Sequence, residues 1–359
     1  MIQTAFLPWP RIGQWAMLLG GGAALARVFE IAHVPAALML GPILFGAVMA
    51  LRGATIRIGR APHQFGQAIA GVLIALNLDP AVLGRTLEIW PTVIAFVVLT
   101  LTLACVVGLV AARLTRLDRD VTVWGFLPGM AGTMIAMAHE RGVDSRMVAF
   151  IQILRLLMVI ATMIGVGAVL VGGAQPHDAG APPPDVVSTL IAAAMGAVGI
   201  LTARFAPMIP AGASLVPLLV ASLLWLNGIN IAAPHWLVAL AYLFLGAQVG
   251  LRFTPDLMRS GARAVPMLVV SVVLLLVLCA ASGAALSLIA GVDLMSGMLA
   301  TVPGSIDSIA LIALSTGSDI SFIMSLQTVR LFAVVLLGPP MARALLHLCR
   351  RLQPATARP

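Results

Sequence analysis

The feature that most constrains this chain is an internal repeat with a separation of 175 residues. Pro128-Gly129 recurs as Pro303-Gly304 (303 − 128 = 175), and the two copies align without a gap. Four further proline pairs share the separation: Pro35 with Pro210, Pro42 with Pro217, Pro80 with Pro255 and Pro91 with Pro266. Proline fills only 23 of the 359 positions, so agreement by chance is rare. The sequence therefore predicts two structurally equivalent halves.

The composition predicts an all-α integral membrane protein. Hydrophobic residues make up 61% of the chain and charged residues only 9%, against roughly a quarter charged in soluble proteins. At about 20 residues per crossing, there is room for on the order of ten to twelve helices. No polar stretch is long enough for a soluble domain. A cytosolic enzyme and a nucleic-acid-binding module are therefore excluded, and the expected partners are the lipid bilayer and a small-molecule solute, with no nucleic acid.

Apolar runs divide the chain into two membrane repeats. The predicted N-terminal repeat covers 1–172 and the C-terminal repeat covers 185–347. Between them, 173–184 form a Pro-rich linker that carries no Arg or Lys, and 348–359 form a short Arg-containing tail.

The arginine distribution decides between two topologies. Six crossings per repeat would give parallel copies and would place the loop with Arg252, Arg259 and Arg263 outside the cell. With five crossings plus one re-entrant or broken helix whose tip is the Pro-Gly, the second copy is inverted and the Arg-rich loops are cytoplasmic. The sequence thus favours two inverted-topology repeats in a bacterial inner membrane, with both termini in the cytoplasm.

The two Pro-Gly breaks predict a polar cavity within the membrane region. Proline removes an amide donor and glycine permits a tight turn, so backbone groups are left free to meet a solute. A packing kink is the alternative. The candidate residues are Pro128, Gly129, Met130 and Thr133 in the first copy, and Pro303, Gly304, Ser305, Asp307 and Ser308 in the second.

Two arginines lie inside long apolar segments, where a cation is costly and needs a partner or a ligand. Arg155 follows Gln152 by three residues, and Arg330 follows Gln327 by the same spacing, so each pair shares a helix face. These faces either line a solute site near the Pro-Gly tips or tie the arginine to backbone carbonyls at the helix breaks, and both roles are compatible.

Asp307 is the one carboxylate in the two Pro-Gly regions. It is expected to accept a proton, to coordinate Na⁺, or to neutralise Arg330 or Arg155, so coupling to H⁺ or Na⁺ stays open. The six His are scattered and lack metal-ligand spacing. We therefore expect no metal, no other cofactor and no enzymatic activity.

Together, Leu127-Pro128-Gly129, Gly142 to Asp144 and Gln152 to Arg155, with their counterparts in the second half, resemble the AbrB family of bacterial inner-membrane proteins. The resemblance covers nearly the whole chain and implies a transporter-like membrane protein. Members carry labels such as ammonia monooxygenase or regulator of gene expression, but a copper oxygenase would need clustered His. This chain has Met130 and Ser305 after its Pro-Gly pairs, where the family has a Gly-Gly form of the tip.

These observations favour a secondary transporter that moves a small anionic solute between the two tips and the two arginines. The alternatives are a membrane sensor or regulatory subunit influencing gene expression, an uncoupled channel or exporter and, more distantly, a membrane-bound oxidoreductase. The oligomeric state stays open, a homo-oligomer included.

Overall fold

The computed structural model describes residues 10–128, 138, 142–172, 185–209, 211–255 and 263–351, and every regular element in these ranges is an α-helix. The first copy contains α1 (Arg11–Ile31), α2 (Ala37–Leu51), α3 (Arg60–Leu76), α4 (Pro80–Glu88), α5 (Trp90–Thr115), α6 (Arg119–Phe126) and α7 (Ser145–Val171). The second contains α8 (Val186–Phe205), α9 (Gly212–Leu226), α10 (His235–Gly250), α11 (Val265–Ala290), α12 (Leu294–Thr301), α13 (Ile306–Thr316) and α14 (Ile320–Arg351).

Four of the described helices, α5, α7, α8 and α11, are long and apolar enough to cross a membrane. The apolar helices α2, α9 and α10 have only 15 or 16 residues, about 23 Å at 1.5 Å per residue. That is shorter than the roughly 30 Å hydrocarbon layer. The chain thus has the helices of a membrane protein, whereas ten full crossings stay a prediction.

The chain divides into two compact units, each built from both halves of the sequence. Unit 1 comprises Met1–Gly84, Ala161–Met258 and Ser305–Ile323, and unit 2 comprises Arg85–Ile160, Arg259–Gly304 and Met324–Pro359. The predicted linker at 173–184 lies outside the described residues.

Unit 1 is held together by close crossings between helices of the two halves. Helix α3 packs on α9, and α2 packs on α10. A Cβ added at Gly71 would lie 2.3 Å from the Ser214 carbonyl oxygen, and one at Gly246 would lie 2.5 Å from the Met39 carbonyl oxygen. Only glycine permits these backbones to approach so closely, which is how small residues stabilise helix packing in membranes.

In unit 2, α5 packs on α11, while the short helices α6 and α12 lie against α5 and α11 respectively. Glycines again mark the crossings. A Cβ at Gly283 would lie 2.7 Å from the Gly297 carbonyl oxygen, and one at Gly108 would lie 3.0 Å from the Val123 Cα.

Both short helices of unit 2 end two residues before a proline. Helix α6 ends at Phe126 and α12 at Thr301, and the next residues, Leu127 and Val302, are extended with ψ of 120° and 136°. The residue before a proline is pushed out of the helical region, which accounts for both breaks. Eight residues each give a length of about 12 Å, so neither α6 nor α12 crosses a bilayer by itself.

Candidate functional site

The breaks leave backbone carbonyls at the ends of α6 and α12 without a partner in their own helix. Arg155 on α7 and Arg330 on α14 supply partners for these carbonyls. Both arginines are buried, with 5% and 6% of their surface exposed. Pro128 and Pro303 are buried as well, while Gly129, Met130 and Thr133 lie outside the described residues.

The second-copy cluster, Gln327 and Arg330, binds the carbonyls of the α12 break. Arg330 Nη1 donates to the Val302 carbonyl over 2.6 Å, and Nη2 donates to the Gly304 carbonyl over 3.1 Å. Arg330 Nη2 also donates to Gln327 Oε1. Gln327 Nε2 in turn donates to the Leu299 carbonyl over 2.7 Å. The pair thus ties α14 to the end of α12.

The first-copy cluster, Gln152 and Arg155, makes the corresponding ties to α6. Arg155 Nη1 donates to the Phe126 carbonyl over 2.7 Å, and Gln152 Nε2 donates to the Trp124 carbonyl over 3.3 Å. Two buried polar atoms of this cluster, Gln152 Oε1 and Arg155 Nε, have no hydrogen-bond partner among the described residues. An acceptor and a donor are therefore available here for a ligand or water.

The two clusters create a positive environment in unit 2. The guanidinium groups of Arg155 and Arg330 are close enough to repel each other, and the Cys279 thiol lies near both. In the described part of unit 2, no carboxylate lies within 4.0 Å of either arginine. Two buried cations are thus close together, with no carboxylate counter-ion among the described residues of unit 2, an arrangement that is costly inside a membrane protein.

Asp307 belongs to unit 1 and lies in the first turn of α13. Its Oδ2 accepts from Gln67 Nε2 on α3 over 3.3 Å, and its Oδ1 accepts from Ser214 Oγ on α9 over 3.2 Å. Tyr242 on α10 is fully buried and near enough to interact electrostatically with Asp307. We call Asp307, Gln67, Ser214 and Tyr242 the Asp307 cluster.

The two serines predicted for the site have local roles at the start of α13. Ser305 is the N-cap residue, and its Oγ accepts from the Ser308 amide over 3.3 Å. Ser305 Oγ also donates to Ser308 Oγ over 2.6 Å. Both hydroxyl groups are therefore engaged in capping the helix.

Sequence reasoning missed three members of the Asp307 cluster. Gln67, Ser214 and Tyr242 lie on helices whose apolar pattern gave no sign of a polar site. One signal was available: Gln67 and Tyr242 are 175 residues apart (242 − 67 = 175) and so occupy equivalent positions of the repeat.

Comparison with known proteins identifies the family. The family model described as "Transition state regulatory protein AbrB" matches residues 38–346. This chain belongs to the AbrB family. The matched range contains both arginine clusters and the whole Asp307 cluster, so the sites described above lie in the part that the family shares.

Two relatives of this AbrB-family chain are similar over most of their length. "Putative regulator AbrB" of Escherichia coli (strain K12) is 35% identical over 338 residues, covering 92% of this chain and 96% of the relative. "Uncharacterized protein YhjN" of Bacillus subtilis (strain 168) is 27% identical over 312 residues, covering 81% and 80%. No solved structure matches the chain.

Proposed function

We propose that this AbrB-family protein is a secondary-transporter-like protein of the bacterial inner membrane that moves a small anionic solute. The observation that carries the proposal is the pair of buried arginines in unit 2 without a carboxylate within 4.0 Å among the described residues. A cation inside a membrane protein marks a solute pathway by default. Arg155 and Arg330 lie directly at the two breaks, where non-helical backbone inside a membrane protein is typical of a polar cavity.

The helix boundaries support an internal repeat as the architecture of this transporter. Helix α9 begins and ends 175 residues after α2 (212 − 37 and 226 − 51), and α11 and α12 follow α5 and α6 by the same separation at both ends. The packing is also reciprocal, because α2 pairs with α10 while their equivalents α9 and α3 pair with each other. A two-fold relationship between repeats produces this exchange.

Inversion of the second repeat is supported by the opposite arginine bias of equivalent loops. In a background without native cysteines, single cysteines at Ala61 and Ala179 should react with an impermeant thiol reagent from opposite sides of the membrane. Labelling of both from the same side would contradict five crossings per repeat and favour six.

Among the described residues of unit 2, the first-copy cluster has two buried polar atoms without a hydrogen-bond partner, so we place the charged group of the solute there. Arg155 Nε would donate to a carboxylate, and Gln152 Oε1 would accept from a hydroxyl or amino group of the same molecule. The second-copy cluster would add positive charge while it holds the α12 break.

A screen of the purified protein tests the proposal. Small carboxylates, phosphate, neutral amino acids and ammonium are compared for the rise in melting temperature that each gives, with and without Na⁺. We expect a carboxylate to stabilise the wild type, because binding to the native state alone raises its stability. Arg155→Gln should lose this effect. An ammonium-type ligand that stabilises the wild type and both arginine variants equally would contradict the proposal.

A regulatory role is the second candidate, because the family description and one relative's name both refer to a regulator. The described helices give it a membrane setting, in which the same anion site would sense a solute and not move it. Uptake of the stabilising carboxylate into proteoliposomes separates the two roles, since a sensor binds the compound without accumulating it.

A further inference from the structure

Asp307 is a half-buried carboxylate whose direct partners are neutral. It is bound by the Gln67 amide and the Ser214 hydroxyl over 3.3 Å and 3.2 Å. Within the described part of unit 1, no Arg or His lies within 4.0 Å of it. A carboxylate in such a place needs a function, because a buried charge without a counter-ion is costly.

The surroundings of Asp307 suit both of its protonation states. The Ser214 hydroxyl donates to the ionised carboxylate and can turn to accept from the protonated one. The Tyr242 hydroxyl is buried, interacts with Asp307 electrostatically and has no hydrogen-bond partner among the described residues. It is therefore beyond hydrogen-bond distance of Asp307 and senses the charge there without holding the proton. Two titratable groups lie on the helices around Asp307 in the described unit 1: Tyr242 on α10, and His63 on α3, one turn before Gln67.

We propose that Asp307 is the proton-binding site of this protein and that Ser214 accommodates the bound proton. The proton adds to a carboxylate oxygen and forms an O–H bond, and no other bond is broken. Coupling of this step to solute movement rests on the proposed transport function. The proton site itself does not.

Two features favour a proton over a metal cation at this site. The cluster has a single carboxylate, and the described residues contain no group of three or more His, Cys, Asp and Glu that could hold a metal ion. In addition, Gln67 directs an N–H donor at Asp307, and the amides of the first turn of α13 carry partial positive charge. Both would repel a metal cation close to the carboxylate.

The chain offers a site-specific reporter, because Tyr242 is its only tyrosine. Protein labelled with ¹³Cζ-tyrosine gives one tyrosine resonance from this cluster. Its chemical shift is followed from roughly pH 4 to pH 8, below the value of about 10 at which a tyrosine itself ionises. We expect one single-proton transition in the wild type and its complete loss in Asp307→Asn.

Two further variants serve as controls for Asp307→Asn. Asp319→Asn, in the same unit, retains an acceptor for the Phe322 amide and should keep the transition. Asp307→Glu retains a carboxyl group and should keep a transition with a displaced midpoint, so the proposal stays testable if Asp307→Asn does not fold. A wild-type resonance that is independent of pH, or a transition that persists in Asp307→Asn, would overturn the proton site.

The last part of the experiment tests whether Na⁺ binds at Asp307. Replacing choline chloride with sodium chloride should leave the midpoint of the Tyr242 transition unchanged. A sodium-dependent displacement of that midpoint, absent with potassium chloride, would show competition at Asp307 and replace the proton site by a Na⁺ site.

The proton site and the proposed transport function can each be contradicted without the other. A carboxylate that stabilises the protein through Arg155, combined with a pH-independent Tyr242 resonance, would contradict the proton site alone. A pH-dependent resonance without any stabilising anion would contradict the proposed transport alone.

Discussion

The two Gln-x-x-Arg clusters share a sequence pattern but differ in how completely they are bonded. Gln152 and Gln327 donate to equivalent carbonyls, those of Trp124 and Leu299. Gln327 Oε1 then accepts from Arg330, whereas Gln152 Oε1 has no partner among the described residues. Residues 175 positions apart thus make equivalent contacts at the two breaks, but among the described residues the first pair has two unpartnered buried atoms.

Residues at equivalent positions of the two halves therefore need not share one role. The second-copy cluster resembles a structural tie, because both Arg330 Nη atoms and Gln327 Nε2 donate to carbonyls at or just after the end of α12. The first-copy cluster combines a tie to α6 with a buried acceptor and a buried donor that have no partner among the described residues, and we propose that a solute uses them. We therefore expect Arg330 to matter more for stability and Arg155 more for binding.

The largest expected effect is on stability at the arginines. Arg330→Gln should lower the free energy of unfolding by about 3 kcal/mol, since two backbone carbonyls lose a charged donor. Arg155→Gln, with one such described bond, should cost about 2 kcal/mol. Melting temperatures in detergent measure the order, with exposed Arg113→Gln as the near-neutral control. A greater loss in Arg155→Gln than in Arg330→Gln would reverse the assignment.

The close helix crossings at Gly71 and Gly246 in unit 1 should be equally sensitive to an added methyl group. Gly71→Ala and Gly246→Ala each place a Cβ within 2.5 Å of a backbone carbonyl, and overpacking of this kind costs about 2 kcal/mol. Gly20→Ala, where nothing lies within 4 Å, is the control. Similar losses of melting temperature at 71 and 246 are expected. Tolerance at one of them would show that the crossings are not equivalent.

The smallest effect concerns the residues that precede the broken helices. Asp293 accepts from the Ser296 amide over 2.8 Å at the start of α12, whereas Asp118 makes no side-chain cap at the start of α6. Asp293→Ala should therefore cost about 1 kcal/mol, and Asp118→Ala less. Equal melting temperatures of the two variants would show that the starts of α6 and α12 do not differ in capping.

The helix breaks were predictable from sequence because they depend on local chemistry. A proline excludes the helical conformation at the residue before it, so Pro128 and Pro303 mark the ends of α6 and α12 without any knowledge of packing. The shared face of each Gln and Arg was predictable for the same reason. The carbonyls that they contact lie 25 to 29 residues away in the chain. From the sequence, a tie to such carbonyls was one of two predicted roles, the other being a solute site.

The Asp307 cluster was not predictable because it depends on tertiary packing. Gln67 and Ser214 lie 240 and 93 residues from Asp307 in the chain. They meet it because α3, α9 and α13 share unit 1, and the close crossing of α3 with α9 at Gly71 brings their backbones together. The sequence pattern identifies Asp307 as a candidate, but it does not predict that α3 and α9 cross beside it.

Calorimetric titration measures whether the first-copy cluster binds an anion. The carboxylate that stabilises the wild type most is titrated into the wild type, Arg155→Gln and Arg330→Gln, each shown to be folded at the temperature used. The account predicts at least a tenfold loss of affinity in Arg155→Gln, about 1.4 kcal/mol, and a smaller loss in Arg330→Gln. Wild-type affinity in Arg155→Gln would contradict it.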